Sequence, residues 1–293
     1  MATYTATAVD GVAYGLLLFT VAAGLSLVFG VMNVLNLAHG TLYLAGAYLA
    51  SSLPGSPGGG GLVTLGLAVL LGMLLGAAGG GLLAVALRPL RAGADHLDQA
   101  LATLGIAFVG SWAFTEMFGA APLPAEPPAV LDGNITIAGH GYPVYRLLFI
   151  AVAGLLAMAL HLIVRRTHAG MLLRATVSDP AMAAATGIRV TRVRTAALAA
   201  GGAITTLAGV LGAPLLGPAP GVDVQVLVLS LVVVVLGGAG SVPHTLAAAL
   251  LVGQVQTVGV IAAPTLAAFL LFGLVLAVLV VRGRSSASVA VHA

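Results

Sequence analysis

Three polar side chains recur at a spacing of three between oily stretches. They are Asn33, Asn36 and His39, within Phe29-Gly30-Val31-Met32-Asn33-Val34-Leu35-Asn36-Leu37-Ala38-His39-Gly40. That spacing allows all three to share one helix face. Polar groups set in apolar sequence must find partners. The trio therefore reads either as an interfacial turn and cap or as lining or support of a permeation path. A metal site does not fit: no second histidine or carboxylate stands at ligand spacing, and the chain has no cysteine.

A second group carries different chemistry: Arg174, Asp179, Pro180, Met182 and Gly187. Ser178 or Asp179 can cap a helix, Pro180 suits its first turn and Gly187 its end. The resulting helix over residues 180–186 has two turns and is too short to be stable alone. It must pack on something, with Met182 and the alanines as a shallow apolar face. Because arginines flank it, it reads as a docking element for a soluble partner or as an ordinary interhelical loop. Asp98 suits a helix N-cap or first turn. Glu116, beside Trp112, is an interfacial acid or a proton relay. All eight acids fall in links or near the ends of apolar runs, which counts against proton-driven transport. The glycine clusters lack the Gly-Lys-Ser/Thr of a phosphate loop, and there is no lysine. No nucleophile–base arrangement is legible either, so the chain reads as a non-enzyme without a cofactor.

The elements that hold these residues follow from composition. The 293 residues are 60% hydrophobic and only 6% charged, with a mean hydropathy of +1.15. Soluble domains carry about 25% charge, so this chain cannot cover a water-facing surface of its size. The net charge of +3 comes from few arginines in a charge-poor chain, without interleaved aromatics, which does not signal a nucleic-acid footprint. The partner of the surface is a lipid bilayer. Apolar runs lie at about residues 11–30, 37–50, 61–87, 101–118, 144–164, 195–216, 224–238, 245–262 and 264–281. Most are longer than the alternating segments of about ten residues that a membrane barrel needs. In lipid an open strand leaves its edge unsatisfied, so helix is favoured even for the valine-rich run at 224–238. The fold class is all-α: a polytopic transmembrane helical bundle of eight or nine spans, eight if a segment in 224–262 only half-crosses.

Arginine sets the expected orientation. The links at 88–91 and 165–194 and the tail from 282 hold every arginine but Arg146. The positive-inside rule puts them in the cytoplasm. Nine spans then place the N-terminus outside and the C-terminus inside. Residues 1–10 have no basic n-region, so a cleavable signal peptide is not expected. Gly11 and Gly15, Gly72 and Gly76, Gly79 to Gly81, and Gly201 with Gly202 are candidate close-packing positions. Residues 119–143 read as a long loop, and the Ser/Ala/Val-rich tail as disordered over about 285–293.

The chain resembles the permease subunits of bacterial branched-chain amino acid ABC transporters, in particular the LivH-like half of the pair. The resemblance rests on residues 24–40, on Gln-Ala-Leu-Ala-Thr-Leu-Gly-Ile at 99–106, and on 170–212 with Arg174, Asp179, Pro180, Ala184, Gly187 and Ile188. Gly237-Gly238-Ala239-Gly240-Ser241-Val242 adds to it. It implies a single ABC-importer permease domain over 1–293 in the bacterial inner membrane. It further implies a second related permease subunit, two cytoplasmic ATPase subunits and an extracytoplasmic substrate-binding protein. The segment around 176–188 becomes the ATPase coupling element, and the cargo a branched-chain or related small amino acid. The chain departs from the family at Val281-Arg282-Gly283-Arg284, where Arg-Pro-x-Gly-Leu-Phe is common, and at Pro243-His244. The competing class is an ion-coupled secondary transporter of a small polar solute.

Overall fold

A computed structural model describes residues 2–32, 35–53, 61–88, 96–137, 140–238, 240–262, 264–266, 269–278 and 280. Asn33 and the tail expected to be disordered lie outside the described residues. The helices are α1 (Ala2–Met32), α2 (His39–Ser52), α3 (Leu62–Ala86), α4 (His96–Phe118), α5 (Val144–Arg166), α6 (His168–Ser178) and α7 (Pro180–Ala185). They continue with α8 (Val190–Leu216), α9 (Val222–Gly237), α10 (Val242–Ala262) and α11 (Phe269–Val278). Each of the nine apolar runs falls on a helix, leaving α6 and α7 for the arginine-rich link.

Length separates these helices into two kinds. Among the described residues, α1, α3, α4, α5, α8 and α10 are long and apolar enough to cross a membrane. The 14 residues of α2 and 16 of α9 reach about 21 and 24 Å at about 1.5 Å per residue. A hydrocarbon core is about 30 Å thick. The sequence reading allowed a half-crossing segment within 224–262, where α9 is the short helix, and its run at 37–50 matches the short α2.

The core is built around α8, which packs against α1, α2 and α3. Fourteen consecutive-turn positions of α8 from Ala197 to Ala213 are buried, among them Gly201, Gly202, Gly209 and Gly212. These glycines let backbones meet. Gly76 of α3 lies against the Gly202 carbonyl, Gly80 against that of Leu198, Gly46 of α2 against that of Thr206, and Gly209 against that of Tyr43. On the far side of α1, Gly11 and Gly15 face Gly253 of α10. Gly81, grouped with its neighbours by sequence, faces open space. Its neighbours Gly79 and Gly80 turn toward α2 and α8 because a helix advances each residue by about 100°.

The expected loop at 119–143 holds a short hairpin. Strands β1 (Asn134–Ile137) and β2 (His140–Pro143) pair antiparallel, with Ile135 opposite Tyr142. The β-branched Ile135-Thr136-Ile137 run suits a strand. The hairpin delivers Tyr142 to α1, where its hydroxyl donates to Asp10 Oδ1 at 3.0 Å. Arg146 of α5 pairs with the same carboxylate. That pairing accounts for the one arginine outside the basic regions. At the same end, the Leu123 amide donates to the Pro218 carbonyl at 3.0 Å. At the other end, the Gly240 amide donates to Ser26 Oγ at 3.1 Å.

A side chain at Gly76 or Gly202 should prevent the α3–α8 contact. Gly76→Leu is expected to lower stability by about 1–3 kcal/mol or more, whereas Gly81→Leu should leave it unchanged. Thermal unfolding of the detergent-purified variants compares them, and equal losses would contradict the packing described.

Candidate functional site

The chain breaks between α1 and α2, and polar groups gather at the break. Asn36 is buried, and its Oδ1 accepts from the Ala38 amide at 3.2 Å. The His39 amide donates back to the Asn36 carbonyl at 3.3 Å. Such local side-chain bonds compete with helix. Asn36 and His39 therefore do not share a helix face: Asn36 shapes the turn, and His39 opens α2. Asn36 forms a turn ahead of α2 without capping it, since the N-cap residue is Ala38, which supplies no side-chain cap bond.

His39 is wholly buried. Its Nε2 is hydrogen-bonded to Thr205 Oγ1 of α8. Gly24 of α1 leaves the space, since a Cβ there would lie 2.6 Å from Thr205 Oγ1 and 3.0 Å from His39 Nε2. One imidazole thus joins α1, α2 and α8 at the centre of the bundle. The Leu37 amide donates to Thr103 Oγ1 of α4 at 3.1 Å, so the break is also tied outward. The sequence reading missed Thr205 and Thr103. A threonine in an apolar helix usually bonds its own backbone, as Thr206 does to the Gly202 carbonyl at 2.8 Å, and spacing does not reveal the exceptions.

The two short helices carry a second polar seam. Gly40 of α2 packs on the Asp223 carbonyl of α9, where a Cβ would sit 2.5 Å away. Asp223, expected at a span end, is 4% exposed in the first turn of α9. Among the described residues, six buried polar atoms lack a hydrogen-bond partner: His39 Nδ1, Tyr48 OH, Asp223 Oδ1 and Ser230 Oγ on α2 and α9, Thr176 Oγ1 on α6 and Arg194 Nε on α8. Tyr48 stacks on Phe118 of α4, ring centroids 4.4 Å apart. Unpaired polar atoms are costly in a dry interior, so a hydrogen-bonding group that reached the seam would be stabilised there.

The second sequence-defined group sits on α6, α7 and the turns beside them. Thr167 Oγ1 caps α6 by accepting from the Gly170 amide at 3.2 Å. The Arg174 guanidinium donates to the Val164 carbonyl near the end of α5, which pins α6 to α5. Asp179 Oδ1 accepts from the Ala181 and Met182 amides, both at 2.9 Å. Pro180 opens the helix, and Gly187 follows it at φ 90°. Of α7, Ala183 is buried and Met182 is 63% exposed. Asp179, Pro180, Met182 and Gly187 thus share one projecting element. Arg174 braces its base instead of joining it.

The chain was compared with known proteins. Residues 7–280 match the family described as branched-chain amino acid transport system / permease component. The permease protein BraD of the high-affinity branched-chain amino acid transport system of Pseudomonas aeruginosa is 26% identical over 267 residues, covering 87% of this chain and 86% of BraD. The corresponding LivH of Escherichia coli is 27% identical over 259 residues, covering 83% and 82%. LivH of Salmonella typhimurium is 26% identical over 257 residues, covering 84% and 83%. No solved structure matches.

Two outcomes test this geometry. Thr205→Val should leave His39 Nε2 unpartnered and lower stability by about 1–3 kcal/mol, with Thr205→Ser close to the parent in thermal unfolding. At the hairpin, burial and the Asp10 carboxylate push the Tyr142 hydroxyl up to about 12 from its usual 10.0. The protonated form is the one that the fold favours. Its contribution should be complete below pH 10 and be lost as pH rises to about 12. Tyr142→Phe should remove that part of the alkaline decline in stability; an unchanged decline would contradict it.

Proposed function

This chain belongs to the branched-chain amino acid transport system permease family, and we propose that it forms the membrane path of an ATP-driven importer for branched-chain or related small amino acids. It is a multi-pass membrane permease subunit and not an enzyme; ATP is hydrolysed by separate subunits of such systems. Membership of this family does not favour the ion-coupled alternative. The proposed assembly is a single permease domain paired with a second related permease, two cytoplasmic ATPases and an extracytoplasmic binding protein.

The observation that carries the coupling role is α7. A six-residue helix cannot persist alone. Here a carboxylate cap, a first-turn proline and a left-handed glycine hold it, and its outward positions are left uncovered. A helix so fixed can transmit a push without unfolding. Arg165, Arg166, Arg189 and Arg192 flank it, which supports a cytoplasmic location by the positive-inside rule. The N-terminus then lies outside, together with the hairpin and residues 217–221, and the C-terminus inside. Asn36 and His39 are proposed to support the path, together with Asn33, through the polar break between α1 and α2.

The chain has no cysteine, which makes labelling direct. Met182→Cys is expected to react with an impermeant thiol reagent only after cells are opened, and Val130→Cys in intact cells. Labelling of position 182 in intact cells would overturn the orientation. Separately, Met182→Asp should reduce co-purification of the ATPase about tenfold while insertion and thermal stability hold. Unchanged co-purification and uptake would remove the coupling assignment.

A further inference from the structure

Beside the coupling element lie three adjoining cavities whose chemistry changes in steps. The first, about 450 Å³, is bounded by α5, α6 and α8 and lined almost wholly by apolar groups, including Leu156, Ile163, Ala196 and Ala200. The second, about 350 Å³, shares Leu27, Leu160, Val164 and Leu173 with the first, and adds Ser26, Ser178, Ser241, Thr245 and Arg174. The third, about 120 Å³, shares Val164, Arg174 and Ser241 with the second, and adds His161 and Arg165. The sequence of surfaces is apolar, then hydroxyl-bearing, then basic.

Permeation and ATPase docking use none of this gradient as derived above. Arg174 spends one N–H on the Val164 carbonyl and retains the rest of its donors. Asp179, the acid next to Ser178, has its Oδ1 committed to the α7 cap. Around the first cavity, α5 turns Leu155, Met158 and Leu162 outward, all exposed, as a bilayer-facing surface requires. An occupant must therefore be amphiphilic, membrane-delivered and negatively charged at one end.

The geometry points to a binding site for one anionic phospholipid, with an acyl chain in the α5–α6–α8 cavity, its ester region at Ser178 and Ser241, and its phosphate at Arg165 and Arg174. The charge complementarity is that of basic pockets between membrane helices, and two arginines can offer planar donor pairs to phosphate oxygens. Because Arg174 also braces α6 on α5, a bound lipid steadies the base of α7. The inference does not depend on which cargo crosses.

The test uses the full-length chain in detergent, with native mass spectrometry and thermal unfolding as readouts. Phosphatidylglycerol and phosphatidylcholine with identical chains are added separately, and inorganic phosphate is added alone. Phosphatidylglycerol should bind at least tenfold more tightly than phosphatidylcholine and raise the unfolding temperature. Arg165→Gln should weaken that preference about fivefold. Ala200→Leu, which fills the apolar cavity from an exposed position, should weaken both lipids without altering helix content. Equal binding of the two lipids, an undiminished preference in Arg165→Gln, or undiminished binding in Ala200→Leu would overturn the proposal. Displacement of phosphatidylglycerol by millimolar phosphate would overturn it too, and would show a site for free phosphate.

Discussion

Direct contact between helix backbones holds this bundle together. Lipid tails are as apolar as leucine side chains, so burying oil against oil gains little in a bilayer, and helices associate through close packing and hydrogen bonds. α8 meets that requirement on three sides. Gly202, Gly209 and Gly201 bring it against α3, α2 and α1 in turn, at distances that any side chain would prevent. The arrangement of the other helices follows from which face of α8 each can reach.

Once backbones are that close, the polar groups between them have few choices. Thr206 returns its hydroxyl to its own helix, whereas Thr205, one residue earlier, faces His39 across the α1–α8 contact. The difference is about 100° of helix rotation. His39 can be placed there only because the chain breaks before it and Gly24 leaves room. The polar seam on α2 and α9 has the same origin: two helices too short to cross bring their first turns together at Gly40 and Asp223. Broken helices at such a depth are tolerated where protein, not lipid, surrounds them.

The projecting α7 shows the opposite regime. At the membrane surface its stability comes from local chemistry: the Asp179 cap, Pro180 and the backbone freedom of Gly187. Those are short-range features, and they were legible in the residues themselves. The trio at 33, 36 and 39 was legible as polar, but Asn36 and His39 do not share the predicted helix face. Periodicity assumes a continuous helix, whereas Asn36 lies outside one and its side chain bonds the backbone two residues ahead.

By itself, the sequence determined the membrane environment, the nine apolar helices, the arginine-rich link and the capped helix within it. Each of these depends on hydropathy, charge or neighbours within a turn. The tertiary structure decided that α2 and α9 pack their first turns together and that residues 134–137 pair with 140–143. It also decided that Arg146 answers Asp10, and that His39 finds Thr205 at a separation of 166 residues. Such contacts depend on which helix faces meet, and a one-dimensional pattern carries no record of that.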